Sequence, residues 1–444
     1  MSDQLTTIPG FEPGEGYATM NEQNRNEAVE SSQVCYDTLE QWTRVKVQEF
    51  VQQLLEEEVA SLLGREKHAR RESVSPVDPP GGSRNGYGKP RRFSMMNGTI
   101  TVQRPRVRDL EERFESKILP LFKRRTQAVG DLLPELYLHG LSTGDFELAL
   151  RGLLGEAAPL SASSIQRLKA RFELEYQQWK EQKLHSLEVV YWWADGLYVK
   201  AGIEDRKAAL LVIVGALSTG EKVLLACESG ERESKESWLK VLRDLKARGL
   251  KLPRLTVADG HLGIWAALGE LHPQGEEQRC WNHKITNVLD DLPKKQQPQA
   301  AELLKAMPYA ATRAECERLR DEFALRYKKS DPKAVATLTR DWERMVTFYS
   351  FPAEHWRHLR TTNIVESPFS TVRLRTDASR RYKRVEGAKA IIWKMLRVAE
   401  QTWRKLNAPD LLPLVASGVK FQDGVRDEAN PQGSPRPQPE NIAA

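Results

Sequence analysis

Cysteine is scarce, with four in 444 residues at Cys35, Cys227, Cys280 and Cys316 and no paired spacing. That argues against a disulfide framework or a four-cysteine zinc site and for a reducing compartment. Long apolar runs are missing as well: nothing approaches the roughly 18 uninterrupted apolar residues of a membrane span, so no membrane is expected as a partner. The first 30 residues carry Glu12, Glu15, Glu22, Glu27 and Glu30 among Asn, Gln and Gly. They lack the basic start and apolar run of a secretory signal, and a cytoplasmic, nucleoid-associated location is the expectation. Charge imbalance is small, a formal +6, which alone says little about nucleic acid. With 40% hydrophobic and 29% charged residues the chain reads as globular, and its length implies two to four domains of about 100 to 200 residues.

What is present is unevenly distributed. Residues 1–36 are polar and predict a disordered tail, as do 426–444, rich in Pro, Gly and Gln. Within 37–75, Val45, Val47, Val51, Leu54, Leu55, Val59, Leu62 and Leu63 recur near helical spacing, predicting an amphipathic helix that serves in dimerisation or as an arm. A breaker cluster, Ser75 to Ser83, separates it from a basic region at 84–125. Between Arg84 and Arg108 lie seven basic residues (Arg84, Lys89, Arg91, Arg92, Arg104, Arg106 and Arg108) and no acidic one. They surround a hairpin-like Met96 to Val102, and read either as a β-hairpin lying along phosphates or as a solvated basic loop. Residues 126–182 read as short helices joined by turns, with Ser142 or Thr143 and then Ser161 as caps. The last helix presents Ser163, Ser164, Gln166, Arg167, Lys169 and Arg171, the short polar and basic side chains of a recognition helix in a helix-turn-helix domain. A plain helical linker is the alternative.

From Leu187 the texture changes to strands. Val189 to Trp193 leads to Asp195, Ala208 to Leu217 and Lys222 to Cys227 follow, and after a helix at Trp238 to Arg248 a buried run at Leu255 to Ala258 ends at Asp259. Three hairpin-joined strands followed by strand–helix alternation is the order of a ribonuclease H-like α/β fold. The reading is therefore a mixed-sheet core in two parts, 187–283 and 357–425, interrupted by an all-α insertion at 284–356, with an N-terminal helical and β-hairpin DNA-binding region.

Asp195 and Asp259 each follow an apolar strand, in Tyr-Trp-Trp-Ala-Asp-Gly and Leu-Thr-Val-Ala-Asp-Gly. Strand ends in an α/β sheet present side chains at a rigid, open edge. One Asp-Gly after a strand is ordinarily just a turn; two of them on this strand order weaken that reading. Hard carboxylate oxygens suit Mg²⁺ or Mn²⁺ rather than zinc. A third acid is needed, and Glu366 fits, followed by Arg373, Arg375, Arg380, Arg381, Lys383 and Arg384. A carboxylate among that much positive charge reads as a metal ligand beside bound phosphates or as a surface ion pair.

Six segments together resemble the Mutator-like bacterial insertion-sequence transposases: Arg84 to Tyr87, Gly140 to Thr143, Asp195 to Lys200, Val257 to His261, Arg279 to His283, and Thr361 to Ser367. The resemblance runs from about Arg84 to Gly424. It implies an Asp-Asp-Glu triad of Asp195, Asp259 and Glu366 on a ribonuclease H-like core, holding two Mg²⁺ (or Mn²⁺) ions. Cys280 and His283 match a Cys-x-x-His pair of that family; with Trp281 they are assigned to active-site support, Cys280 by packing, His283 beside the acids or else as a satisfied structural residue, and Trp281 by core packing rather than by stacking on an unpaired base. Two departures stand out: Ala258 where Ser is common, and Pro368, which should disturb a helix interior.

The resemblance implies a transposase that binds terminal inverted repeats and target double-stranded DNA as a homodimer or higher oligomer, and cleaves and joins strands. It further implies a copy-out route through a circular intermediate, which no residue here carries. A structure-selective nuclease on the same fold and a domesticated, non-catalytic DNA-binding protein are the competing readings; the second predicts loss of at least one acid, and all three are present.

Overall fold

The computed structural model describes residues 22–69, 81–120, 123–139, 141, 149–151, 154, 162–201, 207–230, 232–378 and 382–427. Two compact units divide the chain, one drawn from Met1–Leu133 and Gly144–Ser161, the other from Pro134–Thr143 and Ala162–Ala444. No helix among the described residues is long and apolar enough to cross a membrane.

In the first unit, helix α1 (Glu22–Leu63) begins well inside the segment whose polar composition predicts disorder through residue 36. Strands β1 (Ser83–Tyr87), β2 (Arg91–Met95), β3 (Gly98–Val102) and β4 (Pro105–Arg108) follow. The expected hairpin is β2–β3, paired from Arg91↔Val102 to Met95↔Gly98, while β1 pairs with β4. Leu55 of α1 packs with Ile100, Val102 and Leu119 into a small core. Gln52 seals it, exchanging hydrogen bonds of 2.9 Å with both backbone groups of Gln103. The turns at Ser142, Thr143 and Ser161, the side chains of Ser163 and Ser164, Arg380 and Arg381, and residues 428–444 lie outside the described residues.

The second unit is built on a five-stranded mixed sheet in the order β7-β6-β5-β8-β9. Helix α2 (Gln127–Leu138) and helix α3 (Ala162–Glu181) precede it; the strands are β5 (Val189–Lys200), β6 (Lys207–Leu217), β7 (Lys222–Gly230), β8 (Leu255–Ala258) and β9 (Glu276–Arg279). The three hairpin-order strands are antiparallel, and β8 and β9 run parallel to β5, as the strand–helix alternation predicts. β5 is aromatic and β-branched, which suits a pleated surface. Burial on both faces explains why its hydrophobicity does not alternate. On one face Trp192, Ala194, Leu211 and Ile213 pack against helices α4 (Lys235–Ala247) and α5 (Leu262–Leu271). Ser234 caps α4, accepting from the Ser237 N–H at 3.2 Å.

Beyond β9 every described element up to Leu359 is helical: α6 (Trp281–Asp290), α7 (Gln297–Ala306), α8 (Arg313–Tyr327), α9 (Pro332–Thr339), α10 (Trp342–Val346), short 3₁₀ turns, and α11 (Trp356–Leu359). Leu304, Phe323, Leu338 and Met345 are buried there. The chain then returns to the sheet with α12 (Asn363–Ala378) and α13 (Val385–Glu400). The second face of β5 meets this returning segment, where Trp193 Nε1 donates to the His358 carbonyl at 2.8 Å. Pro368 does not end α12, which continues through it; near a helix start only one intrahelical bond is lost.

Trp192→Ala should therefore lower stability by about 3–5 kcal/mol, the usual cost of deleting a fully buried aromatic. Shifted denaturant midpoints for this unit would register it, and an unchanged midpoint would contradict the packing described.

Candidate active site

The pairing of β5 with β8 sets the site. Ala194 stands opposite Ala258 in that parallel ladder, so the next residues stand side by side, Asp195 within β5, which runs on to Lys200, and Asp259 just past the end of β8. Both carboxylates are steadied by neighbouring amides: Asp195 Oδ1 accepts from the Gly196 N–H at 2.8 Å, and Asp259 Oδ1 from the His261 N–H at 2.9 Å. Glu366 lies in the first turn of α12, its Oε1 accepting from the Thr362 hydroxyl. In each acid, then, one oxygen has a described donor while no such bond is made by the other.

Cys280 clasps the elements together. Its N–H donates to the Ala258 carbonyl at 2.8 Å, its sulfur accepts from the Thr362 N–H at 3.4 Å, and the Trp281 N–H donates to the Arg360 carbonyl at 2.9 Å. The end of β8, the start of α6 and the start of α12 thereby share one fully buried sulfur. One turn into α6, His283 places Nδ1 3.8 Å from Glu366 Oε1, too long for a hydrogen bond, and that buried nitrogen has no hydrogen-bond partner.

The electrostatics are one-sided. Burial pushes the Asp195 carboxyl up to about 7; the Gly196 N–H opposes this, and the charges of Asp259 and Glu366 add to it. The Cys280 sulfur beside it, and after that Glu366 and Asp195, push His283 up to about 9 against its burial. Among the described residues no Lys or Arg forms an ion pair with Asp195, Asp259 or Glu366.

Among the described residues, one set of three metal-binding side chains has its ligand atoms all within 4.8 Å of one another: Cys280, His283 and Glu366. Asp195, Asp259 and Glu366 are more widely spread. Trp281 lies in the core, as its packing reading has it and not as a base-stacking surface, donating to the Met345 carbonyl at 2.9 Å and packing edge-on against Trp342.

The basic side chains divide by burial. Lys89, Arg92, Arg106, Arg108, Arg167, Arg373 and Lys383 are exposed, as are Gln166 and the ion-paired Arg171 and Arg384. Arg84 is bound to Glu56 at 2.7 Å, Arg91 donates to the Lys123 carbonyl, Arg104 is half-buried, Arg171 pairs with Glu175 and Arg384 with Glu173. Lys169 lies over the Tyr137 ring. Arg375 corrects the expectation of DNA contact: it is 2% exposed, stacks 4.1 Å from the centre of the Tyr137 ring and donates to the Leu141 carbonyl. The sequence reading also missed Glu233, a buried acid before α4 that burial and then the charge of Asp259 push upward.

A family model described as transposase, Mutator family, matches residues 18–405. The transposase of insertion sequence element IS6120 from Mycolicibacterium smegmatis is 42% identical over 296 residues, 67% of this chain and 92% of that protein. The transposase of element IST2 from Acidithiobacillus ferrooxidans is 43% identical over 279 residues, covering 62% and 94%. That of element ISRM5 from Rhizobium meliloti strain 1021 is 28% identical over 371 residues, covering 82% and 89%.

Because Asp195 sits near 7 in the folded chain against an ordinary 3.8, its neutral form stabilises the fold. That contribution is complete below about pH 4 and is lost as pH rises through 7. Metal-free Asp195→Asn, which stays neutral, should gain stability relative to wild type as pH is raised from about 4 to 8, a trend that denaturant midpoints at each pH would follow. A gap that does not change with pH would contradict it.

Proposed function

This chain belongs to the Mutator family of transposases, and on that premise we propose that Asp195, Asp259 and Glu366 hold two divalent cations, Mg²⁺ or Mn²⁺, at which element ends are cut and joined to target DNA. The observation that carries this reading is the placement of two aspartates abreast, Asp195 within β5 and Asp259 just past the end of β8, coupled in charge to Glu366. The donors fit such ions: all are hard oxygens, and among the described residues no Lys or Arg forms an ion pair with the acids. The raised Asp195 carboxyl is what such a site should show without its counter-charge. The wider spread of the three acids also fits two ions about 3.5–4 Å apart better than one.

Cations bound there supply activation of a water or a DNA 3′-hydroxyl and stabilisation of the leaving 3′ oxygen. The residues supply preorganisation. The Gly196 and His261 amides and the Thr362 hydroxyl each fix one carboxylate oxygen, so the other is presented without a search through rotamers. His283, charged beside Glu366, holds that side chain toward the aspartates.

The sheet reads as ribonuclease H-like, with three antiparallel strands, two parallel ones, and an all-helical insertion before the Glu-bearing helix. Terminal inverted repeats and target DNA are contacted through exposed basic residues, chiefly Lys89, Arg92, Arg106, Arg108, Arg167, Arg373 and Lys383. Phosphate contacts of this kind position DNA and base contacts specify it. The acting form is a homodimer or higher oligomer bridging two element ends.

Asp195→Asn, Asp259→Asn and Glu366→Gln are each expected to reduce cleavage and strand transfer of labelled element ends below detection while leaving end-specific gel shifts largely intact. Metal ligation is lost there, but phosphate and base contacts are not. Equal loss of end binding in all three variants would count against the assignment.

A further inference from the structure

A fourth acid stands at the same end of the sheet. Glu233 lies between β7 and α4, directly before the Ser234 cap, and is 5% exposed. A buried carboxylate is costly unless bonds or opposite charge compensate it. Compensation here is thin: the Tyr198 phenol acts on it from nearby, and among the described residues no Lys or Arg forms an ion pair with it.

Its space is made by two missing side chains. A Cβ at Gly196 would overlap the Glu233 carboxylate, and one at Gly263 would overlap its backbone carbonyl. Gly196 follows Asp195 directly, and its φ is not in the left-handed region, so the backbone does not require glycine there. What the missing side chain does is admit the carboxylate. Along β5, Asp195 and Gly196 point to opposite faces. Glu233 thus reaches β5 from the α4 side, while Asp195 and Glu366 approach from the α12 side. The strongest charge acting on it is that of Asp259, and His261 and His283 act on it as well.

We propose that Glu233 is a fourth carboxylate of the cation site, holding bound metal from the α4 side, and that Gly196 is glycine so that it can reach. This rests on the reading of Asp195, Asp259 and Glu366 as cation ligands. The competing account is a purely structural acid beside Tyr198, which would leave metal affinity untouched.

The test uses the full chain and Mn²⁺ alone, with free Mn²⁺ read by electron paramagnetic resonance and folding checked by near-ultraviolet circular dichroism. Glu233→Gln should weaken Mn²⁺ binding by about tenfold or more, within the range for groups that support metal ligands. Glu233→Asp, which keeps the charge but draws the oxygens back, should fall between it and wild type. Wild-type affinity in a folded Glu233→Gln protein, alongside clear loss in Asp195→Asn, would overturn the role of Glu233 alone. Wild-type affinity in Asp195→Asn would instead overturn the triad. If the Gln variant does not fold, Glu233→Asp decides: weakened binding supports the proposal, unchanged binding sinks it.

Discussion

The site depends on one register. With Ala194 paired to Ala258, two aspartates from distant parts of the chain stand abreast; a slip of one residue would turn every side chain of β8 to the opposite face. The register is held from both sides of the sheet. Trp192 and Ala194 pack under α4 and α5, and Trp193 reaches across to the segment before α12. A long, doubly buried strand leaves little freedom to slide, so the positions of the acids follow from core packing rather than from interactions among themselves.

Those interactions oppose the arrangement. Asp195 is buried beside two other acids, a placement that costs stability in the metal-free chain and is kept because the surrounding core holds it. Functional sites commonly carry such strain. Cys280 is central to tolerating it: bonds at its N–H and its sulfur tie β8 to α12, so Glu366 cannot swing away to relieve repulsion. The Cys-x-x-His spacing thereby acquires a physical role, with the sulfur as a joint and the imidazole as a positive neighbour to the acid.

Much of this was legible in the sequence. The apolar run ending in Asp-Gly located the end of β8, whereas β5 runs on past Asp195 to Lys200; the order of strands predicted the antiparallel and parallel halves of the sheet. Other features were hidden by local rules that have two meanings. An acid just before a helix cap is usual, since it complements the helix dipole, so Glu233 carries no signal in the sequence that sets it apart. Arg375 sat in a basic run and read as a phosphate contact, although it lies three residues after the buried Val372 and so shares the inward stripe of Val365 and Phe369. The start of α1 at Glu22 was missed because a helix of polar residues has no apolar periodicity to betray it.

The central claim is that Asp195, Asp259 and Glu366 share a pair of cations, and anomalous scattering from crystals grown with Mn²⁺ tests it most directly. Two anomalous peaks about 3.5–4 Å apart, ligated by all three carboxylates, are expected. A single peak on Cys280, His283 and Glu366, with both aspartates unliganded, would contradict the account.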